Sequence, residues 1–186
     1  MRRVSIIGAS GSGKSTLGRE LAGTLGVPFL ELDSVFHQPG WISLPQQEFR
    51  EKVRAATSGD QWVIDGNYSA IRDLVWERAD TVVWLDLPKP VVMRRLIWRT
   101  LRRVATRQEL WNGNRERWRN LFSLDPEQSV IVWSWHKHAE YRARYRAASQ
   151  DPANAHLTFI RLGGARDARQ FLATARAQAA PNKAAS

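Results

Sequence analysis

The sequence predicts an α/β fold, a five-stranded parallel sheet with helices on both faces. Three observations predict it. Apolar runs of strand length alternate along the chain with stretches of helical periodicity. A glycine-rich loop, "GASGSGKST", stands between the first such run and the first such stretch. The chain has 186 residues, 43% of them apolar, which suits one packed domain with a small insertion.

The first strand is expected over 3–8, where Val4, Ile6 and Ile7 make a short β-like run. Leu17, Leu21 and Leu25 then recur at helical spacing and predict a helix over 14–25. Further strands are expected at 29–32, 62–65, 81–87 and 157–162, with Trp62 and Trp84 packed inside two of them. Helical patterns fill the intervals at 45–57, 70–78, 88–104, 127–148 and 167–178. The segment 105–125 breaks the alternation. It carries Trp111-Asn112-Gly113-Asn114 with Arg115, Arg117 and Arg119, and reads as an arginine-rich lid at the sheet's carboxyl edge. A single domain over 1–178 is therefore expected, followed by a frayed tail over 179–186.

Composition narrows the function classes. Without cysteine there is neither a disulfide framework nor thiolate chemistry. No apolar run reaches 18 residues and no basic segment precedes an apolar one, so a soluble cytoplasmic protein is the expectation. The net charge of +10 is uneven. Residues 1–86 hold 9 Lys/Arg against 11 Asp/Glu, net −2, and residues 87–186 hold 19 against 7, net +12. Arginine supplies 23 of the 28 positive residues, and its planar fork suits phosphate.

The loop has the spacing Gly8-x4-Gly13-Lys14-Ser15 at a strand-to-helix turn. Glycines there let backbone N–H groups curl around an anion, Lys14 reaches the β- and γ-phosphates, and Ser15 ligates Mg²⁺. Gly8, Ser10, Gly11, Ser12, Gly13, Lys14, Ser15 and Thr16 are thus the expected ATP-binding set. In "FLELDSVFHQPGW", period-two alternation puts Glu31 and Asp33 on one side, at the carboxyl end of a strand where open parallel sheets bind ligands. Asp33 could accept a hydrogen bond from an acceptor hydroxyl, act as its base or help hold Mg²⁺; its other reading is a helix N-cap. His37 contacts an acceptor or is simply packed, and Trp41 walls a ring site or covers the core.

Asp65 in "WVIDGNYS" and Asp86 in "TVVWLDLP" both have the form of a carboxylate that orients Mg²⁺. The turn of Gly66 and Asn67 leaves room for substrate and favours Asp65, with Arg72 within reach. Asp86 is expected to cap the helix that begins at Pro88. That helix has no acid between Leu87 and Gln108 and stacks Arg95, Arg99, Arg102 and Arg103 at spacings of three to four. Phosphate contact is expected for Arg95 and Arg99. His136 and His138 show no zinc spacing and read as structural.

Together "GASGSGKST", "LDSVFHQPGW", "WVIDGNYSAIRD", "ADTVVWLDLP" and "RRLIWRTLRR" resemble the adenylate-kinase-like group of FlaR-type DNA topology modulation proteins, over roughly residues 1–175. The "DGNY" and "PGW" pieces carry the specificity. The resemblance implies the three-layer P-loop nucleoside-monophosphate-kinase fold, with ATP and Mg²⁺ at the loop. It matches Arg95 and Arg99 to the paired arginines that bracket ATP, and Asp65-Gly66 to a turn in which Asn67-Tyr68-Ser69 replaces phenylalanine-proline-arginine. "FLELDSVFH" is similar to shikimate and gluconate kinases, whose carboxylate at Asp33 meets an acceptor hydroxyl. The shikimate kinases' glycine-rich acceptor loop is absent, and Gly164 takes the place where related kinases pass around adenine.

The first reading is an ATP- and Mg²⁺-dependent kinase of a small nucleoside, nucleotide or hydroxylated metabolite, acting as a monomer or homodimer away from membranes. In it Lys14, Asp33, Arg95 and Arg99 are catalytic. The acceptor contacts Asp33, His37, Trp41, Asp65, Gly66, Asn67 and Arg72, and Ser15 and Asp65 hold the metal. The second reading, a nucleic-acid-associated ATP-binding protein, rests on the basic half and the family resemblance.

Overall fold

Alternation within each strand decides which helices cover which face of the sheet. The computed structural model describes residues 1–66, 68–116 and 129–183. Strands β1 (Arg3–Gly8), β2 (Phe29–Glu31), β5 (Trp62–Asp65), β6 (Thr81–Leu85) and β7 (Thr158–Leu162) form one parallel sheet in the order β2-β5-β1-β6-β7. Val4 and Ile6 of β1, Val63 of β5, and Val83 and Leu85 of β6 point to one face. There they meet Leu17, Leu21 and Ala22 of α1 (Lys14–Leu25) and Leu172 and Ala175 of α7 (Ala165–Lys183).

Ile7, Trp62, Ile64, Val82 and Trp84 point to the other face. They pack with Phe49 and Val53 of α3 (Gln46–Ala56), with Ile71, Leu74 and Val75 of α4 (Ser69–Arg78), and with Tyr145 of α6 (Val130–Ala148). The result is the three-layer α/β arrangement that the alternation predicts. Between β2 and α3 lie a short helix α2 (Leu32–Phe36) and a two-stranded ribbon of β3 (His37–Gln38) and β4 (Ile42–Ser43). The basic helix α5 (Lys89–Ala105) follows β6.

The strand order reverses around β1, so its carboxyl end and those of β2 and β5 open into one crevice. Parallel register sets Ile6 beside Asp65 and Asp65 beside Glu31, which places two carboxylates at that opening. Helix α1 approaches closely because residue 18 is glycine. A Cβ there would stand 2.4 Å from the Phe29 ring.

Several expectations change. Strand β2 ends at Glu31, because Leu32 turns into α2 and buries itself in the core. Asp86 caps no helix: the residue before α5 is Pro88, and no side chain caps that end. The buried Asp86 carboxylate instead accepts from Arg142 Nε at 2.6 Å and Arg161 Nε at 2.7 Å, tying α6 and β7 to the end of β6. A carboxylate out of water at that place is stabilised by guanidinium partners more than by a helix end. The frayed tail expected from residue 179 is helical through Lys183, since five alanines between 173 and 180 carry strong helix propensity. Of the expected lid and following helix, residues 117–128 lie outside the described residues, Arg117 and Arg119 among them, as does Asn67. No helix among the described residues is long and apolar enough to cross a membrane.

Gly18→Ala tests the close approach of α1 to β2. Propensity alone would stabilise an exposed helix by about 1 kcal/mol. Overpacking against Phe29 reverses the sign, and urea denaturation should show a loss of about 1–3 kcal/mol. A gain in stability would contradict the packing described.

Candidate active site

The loop after β1 is shaped by backbone conformations that side chains rarely adopt. Gly11 and Gly13 have φ of 85° and 100°, and a Cβ on Gly11 would meet Leu96 Cβ and the Val92 carbonyl at 3.0 Å each. Ser12 N–H closes the turn on the Ala9 carbonyl at 3.1 Å, and its side chain is buried inside the loop. Gly8, with φ of 149°, ends the strand. Gly13 caps α1 without a side-chain hydrogen bond, which leaves the start of the helix uncapped, as an anion site requires.

Lysine and arginine converge on this loop. Lys14 Nζ donates to the Ala9 carbonyl at 3.2 Å. Burial pushes its ammonium below the ordinary value, against the pull of Asp65 and Asp33. From α5, Arg95 donates to the Ser12 carbonyl at 3.3 Å and Arg99 to Ser10 Oγ at 3.2 Å. Burial, then the neighbouring Arg103, lowers the Arg99 value as well. Three cations thus share one partly dry wall, an arrangement that a polyphosphate would relieve.

Opposite them stand the carboxylates. Ser15 Oγ donates to Glu31 Oε1 at 2.8 Å, and Arg19 pairs with the same carboxylate. Asp65 is buried, and its Oδ2 has no hydrogen-bond partner. Burial raises its carboxyl from 3.8 to about 6, and Lys14 only partly opposes this. An unpartnered buried oxygen on a carboxylate that the Ser15 hydroxyl also approaches fits a Mg²⁺ that takes few protein ligands and fills its shell with phosphate and water. No group of three or more metal-binding side chains occurs among the described residues.

Asp33 lies in α2 and accepts a 2.7 Å hydrogen bond from the Tyr68 hydroxyl, whose oxygen is also 3.4 Å from His37 Nε2. Loop, carboxylates and arginines line one cleft of about 570 Å³, closed on its far side by Gln108–Trp111. Those residues begin the expected lid, and they are clasped to the β3–β4 ribbon. Asn114, 3% exposed, donates to the Gln38 carbonyl and accepts from Trp41 N–H, both at 2.9 Å. The Trp41 indole donates to the Arg115 carbonyl at 3.2 Å, and Asn112 donates to the Ser34 and His37 carbonyls.

The structure therefore brings Ser10, Gly11, Gly13, Lys14, Ser15, Thr16, Asp33, Asp65, Arg95 and Arg99 into one cleft. Trp41 does not line it; its positive φ of 63° and its two hydrogen bonds make it the lid's anchor instead. Arg72 lines a separate cavity of about 10 Å³ with Gly66 and Tyr68, its guanidinium over the Trp76 and Tyr145 rings. Gly164 is absent from the cleft lining; its carbonyl starts the hydrogen bonding of α7. His37 packs edge-on to Phe36 and Trp41 and flat against Trp111. Sequence reasoning left Glu31 without a definite role and did not single out Tyr68, Trp111 or Asn114. The alternation with Asp33 signalled Glu31, whereas nothing in the sequence pairs Asn114 with Trp41.

A family model described as shikimate kinase matches residues 10–129. The shikimate kinase of Synechococcus elongatus is 29% identical over 134 residues, covering 61% of this chain and 70% of the relative. That of Halorhodospira halophila is 32% identical over 109 residues, covering 50% and 61%. Among solved structures, shikimate kinase from Aquifex aeolicus aligns over 98% of both chains with a TM-score of 0.54 and 19% identity. A gluconokinase from Sinorhizobium meliloti aligns over 100% and 97% with a TM-score of 0.51 and 19% identity. Shikimate kinase from Acinetobacter baumannii in complex with shikimate aligns over 98% and 95% with a TM-score of 0.53 and 22% identity. These structural matches show the fold, the P-loop kinase architecture with a five-stranded parallel sheet.

The raised Asp65 value sets a pH dependence. The folded protein holds this proton up to about pH 6, the unfolded chain only to about 3.8, so stability falls as pH rises between those values. For this one group the loss is at most about 3 kcal/mol. In urea denaturation without nucleotide, Asp65→Asn should be the more stable protein near neutral pH and should converge with wild type at about pH 4. Equal stability at both pH values would contradict an unpaired buried carboxylate.

Proposed function

This chain belongs to the shikimate kinase family, and from that premise we propose that it transfers the γ-phosphoryl group of ATP to a hydroxyl held against Asp33. It is an ATP-dependent kinase of a small metabolite. The observation that carries the proposed site is the meeting, in one cleft, of the phosphate loop, three convergent cations and the Asp33 carboxylate.

The chemistry balances on these residues. The acceptor oxygen forms a bond to the γ-phosphorus as the bond from that phosphorus to the leaving ADP oxygen breaks, and the hydroxyl proton passes to Asp33. Lys14, Arg95 and Arg99, with the N–H groups at the start of α1, face the charge spread over the transferring group. Ser15 and Asp65 would hold Mg²⁺, which would neutralise part of the charge of the transferring phosphate. The clasped segment 108–116 limits the entry of water, which would otherwise compete as acceptor.

For the acceptor we propose a hydroxylated metabolite, with shikimate the first to test, because a structural neighbour is described in complex with it. The resemblance to FlaR-type proteins stays part of the proposal as a subgroup within this kinase architecture. Arg95 and Arg99, which belong to the basic half that the nucleic-acid reading rests on, reach the phosphate loop, and this favours the kinase.

ADP release from Mg²⁺ and ATP, measured against shikimate and a panel of nucleosides and other polyols, should rise severalfold or more with one acceptor. Lys14→Ala and Asp33→Ala should each lower that turnover by about 100-fold or more. Hydrolysis that is indifferent to every acceptor and to Asp33→Ala would overturn the proposal.

A further inference from the structure

Asp33 does not stand alone. Its Oδ1 accepts from the Tyr68 hydroxyl at 2.7 Å, and the tyrosine ring is held by two others, Phe36 at 4.6 Å and Phe49 at 5.2 Å between centroids. Phe49, on α3, is fully buried in the core. The donor is therefore fixed to the core, whereas Asp33 sits on a helix of only five residues at the rim of the cleft. Burial and the adjacent Asp33 carboxylate push the Tyr68 phenol above its ordinary range, so the proton stays on the tyrosine.

We infer that Tyr68 is a positioning residue for phosphoryl transfer: by occupying Asp33 Oδ1 it sets the carboxylate plane and leaves Oδ2 to receive the acceptor hydroxyl. The inference rests on the proposed role of Asp33. A carboxylate free to rotate about its side-chain torsions would meet the hydroxyl in many orientations, and a fixed one meets it in the reactive orientation. A hydrogen bond to an ionised oxygen is strong enough to select one orientation among several. The same hydroxyl connects outward. His37 Nε2 lies 3.4 Å from it, and the His37 ring lies flat against Trp111 at 6.0 Å. Trp111 is part of the segment that closes the cleft, so Asp33, Tyr68, His37 and the lid form one continuous chain of contacts.

The end of β5 sets the course of the chain towards Tyr68. Gly66 has φ of 141°, and a Cβ there would meet Leu32 at 2.7 Å, so the chain turns tightly after β5. That turn delivers Tyr68 to a residue 35 positions earlier.

Tyr68→Phe keeps the ring between Phe36 and Phe49 and removes only the donor. With the acceptor that wild type turns over fastest, kcat should fall about tenfold to a hundredfold, the strength of a hydrogen bond to a charged group. KM for ATP and the thermal unfolding midpoint should stay near wild type. Asp33→Asn should lose more, and adding Tyr68→Phe to Asp33→Asn should lower kcat no further, because the tyrosine acts through the carboxylate. A Tyr68→Phe kcat within twofold of wild type, or a double variant that loses the two factors multiplied, would overturn the inference while leaving the role of Asp33 intact. Wild-type turnover by Asp33→Asn would overturn both.

Discussion

One constraint shapes the rest of the molecule: a carboxylate and an ammonium are taken out of water in the same crevice without neutralising one another. Asp65 ends β5 with one oxygen unpartnered, and Lys14 opens α1 with its ammonium buried. Each is displaced from its ordinary protonation behaviour in the direction that burial dictates, upward for the acid and downward for the base. The sheet order imposes their meeting, since β1 lies between β5 and β6 and the loop after β1 must pass over the end of β5. The crevice is charged and incompletely matched, and a triphosphate with its metal supplies the missing charges of both signs.

The acceptor side is built on different physics. Aromatic packing anchors Tyr68 in the core, and hydrogen bonds to backbone carbonyls fasten the start of the lid. Trp41 holds a left-handed conformation that costs an ordinary side chain about 1–3 kcal/mol. Its two hydrogen bonds to Asn114 and Arg115, at about 1 kcal/mol each, offset that strain. The clasp thus persists only while ribbon and lid touch.

The phosphate side was legible in the sequence because it is local. Glycine spacing, the lysine and the serine lie within eight residues, and the backbone geometry of such a loop leaves little choice of residue type. The approach of Arg95 and Arg99 to the loop was legible too, since the helical spacing sets them on one face with no intervening acid. Contacts between distant segments were not. Asp86 had the pattern of a helix cap, and only the packing of α6 and β7 supplies Arg142 and Arg161 to it. Arg72 sat at a spacing that suggested the cleft, yet rotation along α4 turns it onto Trp76 and Tyr145. The pairings of Tyr68 with Asp33 and Asn114 with Trp41 span 35 and 73 residues, beyond the range of any periodicity.

The unpartnered Asp65 oxygen suits a metal brought with nucleotide. The most direct measurement is the thermal unfolding midpoint with a non-hydrolysable ATP analogue, with and without Mg²⁺, for wild type and Asp65→Asn near pH 8. Mg²⁺ should raise the midpoint of nucleotide-bound wild type and add little to the variant. An equal Mg²⁺-dependent rise in both proteins would contradict this, because the metal would then be held without Asp65.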